Sequence, residues 1–165
     1  MPHRSVVGAE IRRRTKLDRG VGYHGRAMPK HTLFAYVEGY DLEGVAEAVE
    51  TRLDALVADR TWELADVWVV NQRHPPDAGA KPGDLPAWDL GLNLTLPAGK
   101  KRSSKWTNDV VAIATAFASL HRETGRNFVI GVHDGKSDDT KDLFQVDTAS
   151  PDLDRLRTAL ETVKA

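Results

Sequence analysis

The chain has 165 residues, 41 % of them hydrophobic, no cysteine and a formal net charge of −1. This length is typical of one domain, and the lack of cysteine excludes disulfide scaffolds, thiolate zinc sites and cysteine nucleophiles. The longest apolar runs, such as residues 110–114, are far shorter than the roughly 20 residues that a membrane-spanning helix needs. We therefore expect no membrane span, and the cysteine-free composition fits a cytoplasmic protein.

The charge is divided unevenly along the chain. Residues 1–30 hold eight of the 23 basic residues and two of the 24 acidic ones, so the rest of the chain is acidic. The first segment also has almost no apolar periodicity from which a core could form. We predict a basic, mobile tail over residues 1–30 that is dispensable for folding, followed by a single α+β domain over residues 31–165.

The domain is predicted to begin with a strand and a helix. Residues 32–37 are β-branched and aromatic, which favours a strand. Asp41 is predicted to cap a helix in which apolar residues recur at three- and four-residue steps from Leu42 to Val57. The polar face of that helix carries Glu43, Glu47, Glu50, Arg52 and Asp54.

Two further strands are predicted at residues 66–71 and 88–96, joined by the Pro/Gly-rich connection 72–87. The strand at 88–96 has the clearest pattern, because apolar and polar residues alternate along it. One face of this strand is predicted to be apolar and the other polar. The apolar positions are Trp88, Leu90, Leu92, Leu94 and Leu96, and the polar face carries Asp89, Gly91, Asn93 and Thr95.

A basic loop, residues 97–105, precedes a second helix that Thr107 is predicted to cap and Gly125 to end. The apolar stripe of this helix is Val110, Ile113, Ala114, Phe117 and Leu120. The remaining predicted elements are strands at 127–132 and 143–146, the acidic loop 133–142 between them, and a last helix with Ser150 predicted at its N-cap and Pro151 at its first helical position.

This order of elements begins with two split β-α-β units, which is the ferredoxin-like arrangement. We predict an α+β fold with such a core (β-α-β-β-α-β), extended by a hairpin strand and a C-terminal helix. The sheet is predicted to be mainly antiparallel, with helices on one face. The alternation at 88–96 indicates that the other face is open, and it is either solvated or covered by a partner such as a second copy of the chain.

Three polar residues are predicted on the open face. Strand alternation assigns Asp89, Asn93 and His133 to it, together with Gly91 and Gly131, where a ligand could approach the backbone. Imidazole and carboxylate groups at one place could act as general acid and base. The alternative is that these residues only keep an exposed sheet soluble.

A protein-binding surface is a second hypothesis. Interface centres favour rigid aromatics with a charged rim, and such a surface is predicted from one aromatic and five acidic residues. They are Trp88 with Asp84, Asp89, Asp134, Asp138 and Asp139. The alternative for Trp88 is a place in the core, as the first residue of its strand.

The acidic loop also has the carboxylate density that Ca²⁺ or Mg²⁺ would need. Its spacing does not fit an EF-hand, so the favoured interpretation is a solvated acidic turn, and neither a metal nor another cofactor is predicted. The weak candidate ligands are Asp134, Asp138, Asp139 and Asp142.

The favoured function is a non-catalytic cytoplasmic protein-interaction module of bacterial type. A small immunity protein or inhibitor that binds a basic enzyme through its acidic surface would fit the size and charge of the chain. The first alternative is a small enzyme or ligand-binding domain that uses Asp89, Asn93 and His133. The second is a nucleic-acid accessory protein that uses the tail and residues 100–105, which the acidity of the body opposes.

Overall fold

A computed structural model describes residues 31–64, 66–76, 78–96, 106–137 and 139–163. In these ranges the chain forms a five-stranded antiparallel sheet and three helices, so the predicted α+β class is confirmed. The predicted tail, residues 1–30, and the whole of the basic loop, residues 97–105, lie outside the described residues. The elements are β1 His31–Val37, α1 Ala46–Asp59, β2 Val67–Arg73, β3 Trp88–Thr95, α2 Trp106–Thr124, β4 Phe128–Asp134, β5 Thr140–Val146 and α3 Leu153–Glu161.

The sheet has the strand order β2-β3-β1-β4-β5, and every neighbouring pair is antiparallel. The strand β3 therefore lies between β1 and β2, and β1 lies between β3 and β4. Each β-α-β connection joins two parallel strands. Because all neighbours in this sheet are antiparallel, one other strand lies between the two strands that each connection joins. The strand β5 begins at Thr140, earlier than predicted, because His133 pairs with Thr140 and the hairpin continues to its turn.

The predicted cap of the first helix is wrong. A turn precedes α1, in which the Val45 N–H donates to the Leu42 carbonyl at 3.0 Å. The helix begins at Ala46, with Val45 at its N-cap and no capping side chain, so Asp41 lies too far upstream to cap it. The turn forms because Leu42 is fully buried, and this tertiary contact decides where the helix starts.

Two other helix starts also differ from the prediction. The helix α2 begins at Trp106, so Thr107 lies inside it. The cap of α3 is Asp152 and not Ser150, since its carboxylate accepts a hydrogen bond from the Arg155 N–H at 3.0 Å. Asp is as good a capping residue as Ser, and the helix starts where this bond is available.

All three helices pack on one face of the sheet, and the main core lies between them. The predicted stripe of α2 is confirmed, since its five residues are all buried. Phe117 of α2 stacks on Phe128 of β4, with ring centroids 4.2 Å apart. From β3 the core receives Trp88, Leu90, Leu92 and Leu94, as the alternation predicts.

The opposite side of the sheet, which we call the second face, differs from the prediction. Two residues that lie directly opposite each other in an antiparallel pair have their side chains on the same face of the sheet. The strand pairing therefore shows which residues of each strand lie on the second face. A second apolar cluster lies here, built in the described residues from strand side chains alone: Phe34, Tyr36, Trp68, Val70 and Val129. The second face also carries Thr32, Gln72, Asp89, Gly91, Asn93, Gly131, His133, Asp142 and Gln145.

The centre of the second face is not solvated. Phe34 is 1 % exposed, Tyr36 3 % and Val129 3 %. The alternation in β3 predicts a polar second face correctly for that strand, but β1, the central strand, is apolar on both sides. Of the two predicted alternatives for this face, solvated or covered by a partner, the solvated one is therefore wrong at the centre of the sheet.

Candidate functional sites

The three residues predicted to form a catalytic or ligand-binding group all lie on the second face, but they do not come together. Asn93 pairs with Phe34, and Phe34 pairs with Gly131, so Asn93 and Gly131 lie in one row across the sheet. His133 lies two residues beyond this row, and Asp89 lies four residues before it. At about 3.4 Å per residue, Asp89 and His133 are separated by roughly 20 Å along the strands. A small substrate would not contact both.

The two glycines of the second face are occupied by the protein itself. A Cβ atom at Gly131 would lie 2.4 Å from Cζ of Phe34, and one at Gly91 would lie 1.9 Å from the carbonyl oxygen of Ala35. The absence of a side chain at these positions therefore allows close packing of β1 and the Phe34 ring. It does not leave room for a ligand to reach the backbone.

Asp89 has a partner that was not predicted. Its Oδ2 lies 2.8 Å from Nε2 of His74, and the two side chains are 13 % and 4 % exposed. His74 follows β2, and its N–H donates to the carbonyl of Ala87 at 2.7 Å, which continues the β2–β3 pairing. The carboxylate orients the imidazole, and the pair ties the two ends of the long connection together. The only sequence signal for this pair was the position of His74 and Asp89 near the two ends of the predicted connection 72–87.

A buried polar pair lies nearer the centre of the second face. The Tyr36 hydroxyl donates a 2.7 Å hydrogen bond to Oδ1 of Asn93, which is fully buried. In the part of the chain that the structure describes, the Nδ2 group of Asn93 and the Oγ1 atom of Thr32 are buried without a hydrogen-bond partner. Buried polar groups in native proteins are rarely left in this state.

The residues predicted to bind a partner do not form one surface. Trp88 is 6 % exposed, donates its indole N–H to Oδ1 of Asn71 at 2.7 Å, and lies 4.0 Å under the Arg73 guanidinium. It is a core residue, which was the alternative for this position. Asp84 lies in a nearby turn, where its carboxylate accepts the N–H of Lys81.

Asp134 and Asp139 lie at the other end of the sheet, since Asp134 pairs with His31 at the start of β1. Asp138 is outside the described residues. The Lys136 N–H, 2.8 Å from Asp134, lowers the pKa of this carboxyl below its ordinary value, and the Ser137 hydroxyl and His31 add to the effect. This carboxylate is therefore used to hold the β4–β5 turn.

The candidate metal ligands are also separated. Asp142 pairs with Gly131 on the second face, while Asp134 bonds within its own turn. Among the described residues, no group of three or more His, Asp or Glu side chains is arranged to hold a metal ion.

An acidic surface that was not predicted as a site lies along α1. Glu47, Glu50 and Asp54 follow one another at three- and four-residue steps and so lie on one side of α1, and Glu43 lies in the turn that precedes the helix. We call Glu43, Glu47, Glu50 and Asp54 the α1 stripe. Glu50 accepts a 2.8 Å hydrogen bond from Asn71, and Glu43 pairs with Arg73, so the stripe runs beside β2. The acidic spacing was visible in the sequence, but its position at the sheet edge was not.

The strand β2 ends the sheet on this side. Within the described ranges it pairs only with β3, so its outer edge presents backbone N–H and C=O groups without a strand partner. The α1 stripe and this edge form one continuous surface, because Asn71 and Arg73 of β2 contact the stripe. This surface combines negative charge with backbone hydrogen-bonding groups.

A groove of about 690 Å³ lies on the outer side of the helices. Small residues of α2, including Ala112 and Ala116, line it beside Arg52 of α1. Arg52 is held by the hydroxyl of Ser119 at 3.2 Å and by Glu123 at 3.7 Å. The groove brings together none of the residues predicted as a site.

Comparison of the chain with protein-family models, with curated proteins and with solved structures found no match. In the described residues, no helix has both the length and the apolar character needed to cross a bilayer.

Proposed function

We propose that this chain is a non-catalytic protein-interaction module that binds a basic partner through the α1 stripe and the outer edge of β2. The observation that carries the proposal is the placement of two carboxylates of the stripe, Glu43 and Glu50, directly beside an edge strand, with Glu47 and Asp54 continuing the acidic surface along α1. The side chains of Glu47 and Asp54 are exposed and Glu43 is 73 % exposed, so a partner can reach them.

The two parts of this surface would have different roles. An extended segment of the partner can add to a free sheet edge through backbone hydrogen bonds, which provide affinity with little regard to sequence. Carboxylates beside that edge select Lys and Arg and accelerate the encounter of opposite charges. This surface replaces the one predicted from Asp84, Trp88 and Asp134, whose members lie apart or in the core.

The partner that fits this chemistry best is a basic enzyme, and the role is that of an inhibitor or immunity protein in the cytoplasm. A protein of this kind acts by covering a cationic active site, and it needs no catalytic group of its own. This agrees with the separation of Asp89, Asn93 and His133.

We also infer that the fold is ferredoxin-like, with β5 and α3 as extensions. The support is the order β2-β3-β1-β4, in which each β-α-β unit is split by a strand of the other.

Charge reversal tests the proposed surface. Glu47→Lys combined with Asp54→Lys should weaken capture of a basic partner from an extract of the source cells. The matched control is Asp84→Lys combined with Asp139→Lys, which changes the same number of exposed carboxylates on the surface predicted from sequence. Association of the purified partner should slow by about tenfold in the first variant, and added salt should slow the unmodified protein in the same way.

Two outcomes would contradict the proposal. Loss of binding only in the control variant would assign the interaction to the ends of the sheet. Unchanged association in both variants, with no effect of salt, would show that recognition does not depend on these charges.

A further inference from the structure

We infer that the outer edge of β2 binds an extended segment with a basic–apolar–basic pattern, whose backbone pairs with Val69 and Asn71 and whose basic side chains bind Glu50 and Asp54. This binding mode rests on the proposed function and specifies which part of a basic partner the surface would recognise.

The hydrogen bonds at the two ends of β2 show which of its backbone groups point outward. The Thr95 N–H donates to the carbonyl of Asp66 at 3.0 Å, and the His74 N–H donates to the carbonyl of Ala87 at 2.7 Å. In an antiparallel ladder, residues that bond to the neighbouring strand alternate with residues whose N–H and C=O point away from it. The register is continuous from Asp66 to His74, so the even-numbered residues of β2 bond to β3. The outward groups therefore belong to Val67, Val69, Asn71 and Arg73.

These four residues have their side chains on the helix side of the sheet. Val67 and Val69 pack against the main core, Asn71 contacts α1, and Arg73 contacts the turn before it. A residue that pairs directly opposite one of them has its side chain on the same face. Partner side chains opposite Val69 and Asn71 would therefore point towards α1, and the residue between them would lie beside Val70 on the second face.

The contacts between β2 and the α1 stripe fix the direction of the two elements. Asn71 donates to Glu50 at 2.8 Å, whereas Arg73, two residues later in the strand, pairs with Glu43, seven residues earlier in the chain. The helix and the strand therefore run in opposite directions, and the later residues of α1 lie beside the earlier residues of β2.

Two carboxylates lie where the helix-side residues of an added strand would place their side-chain ends. Four helix residues span about 6 Å and two strand residues about 7 Å, so Asp54 lies level with Val69 as Glu50 lies level with Asn71. Asp54 is exposed. A carboxylate has lone pairs for several donors, so Glu50 can accept from Asn71 and from a partner's Lys or Arg at once.

Two other side chains of β2 define the rest of the pattern. Val70 lies on the second face, so the middle residue of the segment packs best if it is apolar. Arg73 is held by Glu43 and by the ring of Trp88, 4.0 Å from its guanidinium. A basic residue directly opposite Arg73 would be repelled, which limits the basic positions to the two opposite Val69 and Asn71.

The carboxylates give this edge a selectivity that the backbone alone does not have. Main-chain hydrogen bonds form with any extended segment that keeps its N–H groups, and alternate side chains provide the specificity. A segment with acidic residues at the same two positions would meet Glu50 and Asp54 with like charge, so the surface also rejects the wrong partner.

Peptides of defined sequence test the inference on the full chain. The probe is a seven-residue peptide with Lys at its third and fifth positions, Val at its second, fourth and sixth, and Thr at both ends. Titrated into the isotope-enriched protein, it should shift the amide signals of Val69 and Asn71 and slow their hydrogen exchange, because these N–H groups gain an acceptor. Exchange at Val70, which bonds to β3, should change little.

Two altered peptides are the matched controls. One replaces both Lys residues by Glu, which reverses the charge and keeps the backbone. The other keeps both Lys side chains and methylates their backbone nitrogens, which removes the donors that would bond to β2. Each should bind about tenfold more weakly than the probe.

A charge variant of the protein gives a second measurement. Glu50→Gln combined with Asp54→Asn should weaken binding of the Lys peptide by about fivefold to tenfold. The matched control is Asp154→Asn combined with Glu161→Gln, which removes the same charge from exposed positions of α3 and should leave the affinity unchanged. An equal loss in both variants would contradict a role of these two carboxylates.

Three results with the peptides would overturn the inference. Equal binding of the methylated peptide would show recruitment by charge without strand addition, and the acidic surface of the proposed function would stand without the edge pairing. Equal binding of the Glu peptide would remove the selection for basic residues, and the proposed function with it. Unchanged signals of Val69 and Asn71 with millimolar Lys peptide would exclude the edge of β2 as its binding site, and the charge reversal of the α1 stripe would still decide the proposed function.

Discussion

Oδ1 of Asp109, in the first turn of α2, accepts a 3.1 Å hydrogen bond from the guanidinium of Arg60, which directly follows α1. The other oxygen accepts the N–H groups of Glu63 at 3.0 Å and Leu64 at 2.9 Å. Asp109 is fully buried. One buried carboxylate therefore binds three donors and joins the segment after α1 to the start of α2.

Replacing Asp109 by Ala should destabilise the protein by about 3 to 5 kcal/mol, because it leaves the Arg60 guanidinium, the part-buried N–H of Glu63 and the buried N–H of Leu64 without their acceptor. Urea unfolding measures this change. The control is Asp154→Ala, which removes an exposed carboxylate paired with Arg157 at 3.3 Å and should cost at most about 1 kcal/mol. Similar losses in both variants would show that the buried network contributes little.

Gly91→Ala should also destabilise the protein strongly, since the new Cβ would lie 1.9 Å from the backbone oxygen of Ala35. Overpacking of this kind costs about 1 to 3 kcal/mol and more where backbone must move. Gly44→Ala is the matched control, because nothing lies within 4 Å of its Cβ position. Thermal unfolding should separate the two, and equal melting temperatures would contradict the close approach of β1 and β3.

Phe117→Ala should cost about 3 to 5 kcal/mol, the usual range for a buried phenylalanine. Phe117 is fully buried, and its ring stacks on Phe128. Thr115→Ala on the exposed side of the same helix is the control, for which little change is expected. A loss under about 1 kcal/mol for Phe117→Ala would mean that the stripe does not face the sheet.

The turn that joins β4 and β5 should be sensitive to acid. Hydrogen bonds from Lys136 and Ser137 lower the pKa of Asp134 from its ordinary value of 3.8. A carboxyl whose pKa is lowered by folding stabilises the protein above pH 3.8, and this contribution is lost as the pH falls through the lower pKa of the folded state.

Asp134→Asn should therefore be less stable than the unmodified protein at neutral pH, and the difference should shrink below pH 3.8. Denaturant unfolding at a series of pH values measures it. Asp139→Asn in the same turn is the control, and a difference that stayed constant with pH would disprove the role of the Asp134 charge.

Much of the architecture is predictable because periodicity is a local property. The stripe of α2 and the alternation in β3 follow from residues within one element, and both are found where predicted. The helix starts were less accurate. Leu42 is buried by distant residues, and its turn moves the start of α1 past the capping residue predicted from local sequence.

The candidate sites were harder to predict because they depend on pairing. Alternation correctly places Asp89, Asn93 and His133 on one face, but the distances between them follow from the order and register of the strands. The same applies to Trp88, whose neighbour Asn71 lies 17 residues away in the chain. The acids of α1 were recognised as a polar helix face, and only the position of β2 makes them part of a larger surface.

The sequence by itself determined the α+β class, the apolar faces of the strands and helices, and the separation of a basic segment from an acidic body. Only the tertiary structure decided that Asp109 is buried with three donors, that Gly91 and Gly131 are filled by β1, and that the aromatic residues at the centre of the second face are buried. Side-chain periodicity is set by neighbours a few residues apart, whereas burial and charge pairing are set by strand order and register, which bring together residues distant in the chain.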